Sequence, residues 1–222
     1  MHYLLAVVEG ETEKGLIEAF LKTRVGQSPE KYGQIEVVPI SVHGNQGYTG
    51  LVEAANNCIN EYLGNPDNCY SDEDDDHEKW LVFDYDDIDD KDITLDELKE
   101  QSRQAGFTCV VSKPNIEYFI LTLLGGYELA DSINPDNYKQ EINKLINNLN
   151  AKDSSEKTGF TDSIKIPPYD KRIYQCKNCL LAIFSFHPEL IDQIMELGLA
   201  QSEKYSEIPI LLKRILAVIN GE

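Results

Sequence analysis

Four carboxylates are the residues of this chain best placed to do chemistry. Glu9 directly follows an apolar run (LLAVV) with Glu13 one helical turn further on, and Asp84 and Asp86 follow a second apolar run (WLVF). Carboxylate oxygens are the ligands that Mg²⁺ and similar hard cations prefer, together with the oxygens of substrate phosphates. These residue types therefore indicate a phosphoryl-transfer site that depends on a hard divalent cation such as Mg²⁺.

The apolar runs in front of these acids indicate how the fold positions them. Such a run is typical of a central strand in a parallel sheet, and ligands bind at the carboxyl edge of such sheets. Side chains alternate along a strand, so Asp84 and Asp86 share a face if the strand persists, while Asp87 points away. If the two strands are neighbours, Glu9 converges with both aspartates. Glu13, in the first turn of the next helix, can return toward Glu9.

A purely structural explanation of the same residues stays open. Residues 84–92 could form only a solvated acidic loop. Glu9 and Glu13 could only supply favourable negative charge at a helix N-terminus. The functional interpretation is favoured because both groups fall at the same edge of one predicted sheet.

The order of predicted elements indicates an α/β fold. Residues 1–125 read β-α-β-α-β-α-β-α, which predicts a doubly wound, mostly parallel sheet. Pro39 cannot donate to a ladder, so the second strand is expected to be short or at an edge. Residues 126–222 are predicted to be mostly helical, with a long loop at residues 150–175. We therefore expect a core domain at 1–125 and a helical part at 126–222 that packs on it.

The predicted boundaries follow from apolar periodicity and from turn residues. The strands are expected near residues 3–8, 35–40, 79–84 and 107–111. The helices are expected near residues 12–24, 48–63, 95–105, 116–124, 138–149, 177–186, 189–197 and 208–219. Thr94 and Glu97 fit a capping box at the start of the third helix.

The composition limits the class of protein. The net charge is −19, with 39 acidic against 20 basic residues. This argues against tight binding of nucleic acid by counterion release, and it favours a small or separately recruited substrate. No apolar stretch approaches the ~18 residues of a membrane span, and the N-terminus lacks the basic segment of a signal peptide. The five cysteines are an odd number, so we expect reduced thiols and a cytoplasmic protein.

Three motifs occur in an order that resembles one known family. Residues 8–13 (VEGETE) and 83–86 (FDYD) resemble the acidic motifs of TOPRIM domains, the fold of topoisomerase–primase cores and OLD-type nucleases. Residues 112–121 (SKPNIEYFIL) are similar to the Ser-Asn-Pro-x-Phe-Glu-x-Trp-x-Leu signature of RloB-like proteins. Lys113, Ile116 and Phe119 replace the Asn, Phe and Trp of that signature. Residues 206–212 (SEIPILL) resemble the end of the same family, which is associated with prokaryotic restriction and anti-phage loci.

The resemblance implies a role for each acid. Glu9 would be a general acid/base or a metal ligand, and Asp84 and Asp86 would hold Mg²⁺ or Mn²⁺. Glu13 and Glu117 would be further carboxylates at or beside the metal site. Lys113 would offset charge in the transition state, with an exposed surface lysine as the alternative, and Glu117 could equally stabilise its own helix.

The implied activity is a metal-dependent nuclease of a prokaryotic defence system. Its substrate would be RNA, including tRNA, or DNA, and a partner protein of the defence system and a homo-oligomer are both compatible with the sequence. The alternative is a TOPRIM-fold module that binds a partner or a nucleotide without catalysis, which the acidic composition favours. A receiver-like signalling domain fits less well because its acids and lysine come in a different order.

Two further patterns carry less weight. Cys176 and Cys179 have the spacing of half a zinc site, but no second pair of ligands exists and the surrounding sequence fits a helix core. The glycine-rich residues 43–47 (HGNQG) match no phosphate-binding fingerprint.

Overall fold

The computed structural model describes residues 2–25, 35–39, 50–65, 76–85, 93–156, 165–170, 173–196 and 203–220. Within these residues the strands form one sheet in the order β2-β1-β3-β4-β5. The first four strands are parallel, and β5 is antiparallel to β4. The strands are β1 (His2–Val8), β2 (Ile35–Pro39), β3 (Asp76–Asp84), β4 (Phe107–Lys113) and β5 (Tyr205–Ser206).

Helices connect the parallel strands and form most of the chain after β4. They are α1 (Glu11–Val25), α2 (Leu51–Leu63), α3 (Leu95–Gln104), α4 (Ile116–Gly125), α5 (Tyr127–Ser132), α6 (Tyr138–Glu156), α7 (Ile173–Phe186), α8 (Glu189–Glu196) and α9 (Ile208–Asn220). A 3₁₀ turn at Pro135–Asn137 precedes α6. The predicted capping box of α3 is present, because the side chains of Thr94 and Glu97 each accept a hydrogen bond from the other's backbone N–H.

Strand β1 is a buried interior strand of the sheet. It pairs with β2 on one side and with β3 on the other, and Val8 stands opposite Val82. Residues 4–8 are fully buried, as expected for a strand covered on both faces. The predicted neighbourhood of the first and third strands is therefore confirmed, and so is the edge position of β2.

The two faces of the sheet bury two separate sets of apolar side chains. Alternate residues of β1 and β3, such as Val8 and Val82, join α1, α4 and α6–α9 in what we call the main core. The intervening residues, such as Val7 and Phe83, pack with α2 and α3 in the second core. Helices thus cover both faces. The predicted α/β fold, a doubly wound and mostly parallel sheet with a largely helical C-terminal part, is confirmed.

Several predicted boundaries differ from the structure. Strand β3 begins at Asp76, three residues before its predicted start, and these three residues are paired with β1. The acid of Glu78 is tolerated there because Arg214 of α9 donates to both of its carboxylate oxygens, with Nε at 2.9 and 3.1 Å. Strand β4 continues to Lys113, where its last two residues pair with β5.

The predicted long loop at residues 150–175 is wrong over most of its described length. Helix α6 continues to Glu156, and α7 begins at Ile173. Between them, residues 165–170 form neither a helix nor a strand, and we call them the Tyr169 segment. Helix α5, the 3₁₀ turn and β5 were not predicted. None of the helices that the structure describes is both long enough and apolar enough to cross a membrane.

Candidate active site

Glu9 and Asp84 meet at the carboxyl edge of the sheet, where β1 and β3 end side by side. The Glu9 backbone N–H donates to the Val82 carbonyl at 3.0 Å and continues the parallel ladder by one residue. The Asp84 N–H then donates to Oε2 of Glu9 at 3.2 Å. The predicted convergence of these two acids is therefore present.

Glu13 enters the same site from the first turn of α1. Its side chain is 4% exposed and forms a hydrogen bond with that of Asp84. The residue before α1 explains how the carboxylate fits. A Cβ added to Gly10 would lie 2.5 Å from Oε2 of Glu13, so the absence of a side chain at position 10 leaves the space that this carboxylate occupies.

The charge of Glu13 is strongly disfavoured in this position. Burial raises its pKa to about 7, and the negative charges of Glu9 and Glu117 act in the same direction. A hydrogen bond with its own backbone and the one with Asp84 oppose the shift. Glu13 is thus a buried acid that titrates close to neutral pH, which is common at functional sites.

Glu117 completes the group that we call the carboxylate cluster, which consists of Glu9, Glu13, Asp84 and Glu117. It lies in the first turn of α4 and is 2% exposed. The hydroxyl of Tyr169 donates to its Oε1 at 3.0 Å. A role confined to its own helix, the alternative for Glu117, does not account for this contact or for its effect on Glu13.

Tyr169 is the member of the site that sequence reasoning missed. Its backbone N–H donates to Oδ1 of Asn143 at 2.9 Å, and its carbonyl accepts from Nδ2 of the same side chain at 3.2 Å. Asn150, two turns later on α6, holds the N–H and carbonyl of Ile166 in the same way at 2.8 and 3.0 Å. The side-chain amide of each asparagine thus makes the two backbone hydrogen bonds that a neighbouring strand would otherwise make. No pattern in the sequence marks these contacts, which join residues 16 and 26 positions apart.

The structure does not bring every predicted site residue into this cluster. Asp86 and the glycine-rich residues 43–47 lie outside the described residues. Alternation along β4 places Lys113 on the same face as Val111, which belongs to the second core, whereas Asp84 follows Val82 on the main-core face.

The two cysteines with half-zinc spacing belong to the main core. Cys176 and Cys179 are fully buried in α7, as the helix-core interpretation predicts. Burial raises the pKa of both thiols to about 12, so neither is a reactive thiolate near neutral pH.

The residue types of the cluster fit a hard divalent cation, but the arrangement fits it only in part. Crowded carboxylates such as Glu13 and Asp84 repel each other unless a proton or a cation lies between them. Within the described ranges, no group of three or more His, Cys, Asp or Glu side chains is arranged to hold a metal ion. Asp86, the fourth predicted ligand, is not among those ranges.

Comparison with known proteins adds little to this site. No protein-family model and no curated protein matches the sequence. A similar solved structure is the C-terminal region of the Burkholderia pseudomallei OLD protein, with a TM-score of 0.41 and 15% sequence identity over 99% of this chain and 99% of that chain. Values this low leave the function to be argued from the site itself. The resemblance to RloB-like proteins stays a prediction from the motifs.

Proposed function

We propose that the carboxylate cluster is the active site of a phosphodiesterase that depends on Mg²⁺ or Mn²⁺ and cleaves nucleic acid. The observation that carries the proposal is the buried contact between Glu13 and Asp84, with the charges of Glu9 and Glu117 close enough to raise the pKa of Glu13 to about 7. A fold that only needed stability would gain from apolar residues at these positions. A divalent cation would relieve the repulsion between these carboxylates, and the carboxylates would in turn bind the cation.

Glu9, Glu13, Asp84 and, outside the described residues, Asp86 are the side chains that would hold the cation. When bound, it would lower the pKa of a water molecule and stabilise charge on the phosphate oxygens. The protein itself fixes the acids that surround it. The Asp84 N–H orients the Glu9 carboxylate, and burial keeps Glu13 able to hold or release a proton near neutral pH.

The finer parts of the proposal come from the family resemblance. The substrate would be RNA, including tRNA, or DNA, and the setting would be a prokaryotic anti-phage defence system with a partner protein. A cytoplasmic location and a homo-oligomer belong to the same prediction. With a net charge of −19, the chain would need the cation or a partner to approach a polyanion.

A second candidate is a module of the same fold that binds a partner or a nucleotide without catalysis. Two observations favour it. No metal-holding group of three side chains is present in the part of the chain that the structure describes. The high negative charge also disfavours direct binding of nucleic acid.

Cleavage assays separate the two candidates. We expect the purified protein to cleave at least one of total tRNA, single-stranded RNA and plasmid DNA with Mg²⁺ or Mn²⁺, and not with EDTA. Glu9→Gln should lower the cleavage rate by about a hundredfold or more, because it removes a charged group from the reacting site. Glu100→Gln, an exposed acid on α3 that pairs with Arg103, is the matched control and should cleave like the wild type. Equal cleavage by Glu9→Gln would rule out the assignment, and no cleavage by any protein would favour the binding module.

A further inference from the structure

Tyr169 links the helical C-terminal part of the chain to the carboxylate cluster. Its side chain is 1% exposed, and its hydroxyl donates to Oε1 of Glu117 at 3.0 Å. The same hydroxyl also interacts with the side chains of Thr12 in α1 and Cys176 in α7. Burial raises the pKa of Tyr169 well above its ordinary value, so the hydroxyl keeps its proton and remains a donor.

The position of this hydroxyl is set by the backbone and not only by the packing of the ring. Asn143 binds both backbone polar groups of Tyr169, and Asn150 does the same for Ile166 at the other end of the segment. Four hydrogen bonds therefore attach the Tyr169 segment to α6. A buried group held at this many points can fix the orientation of what it binds.

Glu117, in turn, is electrically coupled to the cluster. Its negative charge is one of the causes that raise the pKa of Glu13, so the two carboxylates are close enough to interact. A change in the orientation of the Glu117 carboxylate would change the field at Glu13 and at Asp84, which contacts Glu13.

We propose that Tyr169 is a positioning residue of the metal site, which holds the Glu117 carboxylate in place beside Glu13 through a backbone anchored on Asn143. This inference rests on the proposed function, because it assumes that the cluster binds a divalent cation. Residues that orient the groups around a metal commonly change its affinity by 10- to 100-fold when they are replaced. Tyr169 would act on the cation through Glu117, without touching it.

The test is the affinity for Mn²⁺ alone, measured by titration calorimetry on the full chain with no substrate present. Tyr169→Phe removes one oxygen atom, and we expect Mn²⁺ to bind about tenfold or more weakly. Tyr118→Phe is the matched control. Tyr118 is also 1% exposed, but its hydroxyl donates at 2.9 Å to Oδ1 of Asp131, an acid outside the carboxylate cluster, so its removal should leave the Mn²⁺ affinity unchanged.

A second background shows whether the effect runs through Glu117. Glu117→Leu removes the acceptor at similar volume, and in this background Tyr169→Phe should change the Mn²⁺ affinity less than about twofold. A merely structural tyrosine would lower the unfolding temperature equally in both backgrounds and leave the affinity of the folded protein unchanged. If Tyr169→Phe does not fold, Asn143→Ala, which releases the backbone of Tyr169, is expected to weaken Mn²⁺ binding in its place.

The outcomes separate this inference from the proposed function. Wild-type affinity in Tyr169→Phe, or in a folded Asn143→Ala, overturns the positioning role while the metal site stands. An undiminished effect of Tyr169→Phe in the Glu117→Leu background overturns it as well. If the wild type binds no Mn²⁺, the proposed function fails and the positioning role fails with it.

Discussion

Glu13 is a residue of the site whose ionisation is costly to the fold. It is buried, it contacts Asp84, and it lies in the field of Glu9 and Glu117. In a metal-free protein, protonation relieves this cost. The folded state therefore binds a proton at Glu13 more tightly than the unfolded chain does, which links its titration to stability.

The pH dependence of stability should show this link directly. The pKa of Glu13 is about 7 in the folded state against an ordinary pKa of 4.5 for glutamate in the unfolded chain, so its contribution is fully present below about pH 4.5 and is lost as the pH rises through 7. At about 1.4 kcal/mol per pKa unit, the loss amounts to about 3 kcal/mol. We expect Glu13→Gln to remove this part of the pH dependence when unfolding by urea is measured in EDTA between pH 5 and pH 8.

A surface acid serves as the control for this measurement. Hydrogen bonds from Arg103 and Gln104 lower the pKa of Glu100 to about 2, so this group stays ionised between pH 5 and pH 8. Glu100→Gln should therefore keep the wild-type pH dependence. If Glu13→Gln also keeps it, the buried carboxylate does not titrate in this range and the view of a crowded cluster is wrong.

The sequence predicts the acids of the site better than it predicts the residue that holds one of them in position. Glu9, Glu13 and Asp84 can be found in the sequence because each comes shortly after an apolar strand. The carboxyl ends of parallel strands lie at the same edge of a sheet, so residues in these positions are brought together. Tyr169 follows no such rule. It contacts Glu117 across 52 positions of sequence, through a segment whose position depends on α6, so only the packed chain shows its role.

At the scale of elements, the turn between β1 and α1 determines the contact of Glu13. The Glu13 carboxylate lies 2.5 Å from where a Cβ of Gly10 would be. Gly10→Ala should displace this carboxylate, since the end of a flexible side chain can move at low cost. We expect a small change in unfolding temperature but a loss of metal-dependent cleavage of about tenfold or more, because catalytic groups tolerate little misplacement.

Gly15, which lies inside α1, provides the comparison. A Cβ at Gly15 would lie 3.4 Å from the backbone nitrogen of Lys177, which is an ordinary van der Waals contact. Gly15→Ala should keep cleavage and should stabilise α1, because alanine favours a helix by up to about 1 kcal/mol over glycine. Equal cleavage by Gly10→Ala and Gly15→Ala would show that the position of the Glu13 carboxylate does not matter to the reaction.

Elements were predictable where local pattern and tertiary pairing agree. The parallel strands and the capped helix α3 follow from apolar runs and from Thr94. The start of β3 does not follow from the sequence, because an acid such as Glu78 is unexpected in an interior strand. It is stabilised there by Arg214 of α9, a contact that only the folded chain shows. The Tyr169 segment likewise reads as loop, because its backbone is satisfied by two asparagine side chains and not by a strand.

At the scale of the molecule, the site depends on both parts of the chain. The main core contains alternate side chains of the sheet, α1 and α4 together with α6–α9. Glu9, Glu13, Asp84 and Glu117 come from the first 125 residues, and Tyr169 comes from the remainder. The predicted division at residue 125 therefore does not isolate the carboxylate cluster from the helices that follow it.

Because the net charge is high, stabilisation by a metal ion must be separated from stabilisation by charge screening before it can count as evidence for the site. A chain with a net charge of −19 is stabilised by any added cation through screening, whether or not a metal site exists. Specific binding adds to this by mass action, with about 2.7 kcal/mol expected when the free metal exceeds its dissociation constant a hundredfold.

We expect Mn²⁺ at millimolar concentration to raise the unfolding temperature of the wild type more than NaCl does at equal ionic strength. The excess should vanish in Asp84→Asn, which retains the backbone N–H bound to Glu9 but loses the charge. An equal response of wild type and variant to Mn²⁺ would assign the whole effect to screening and leave Asp84 without a role in metal binding.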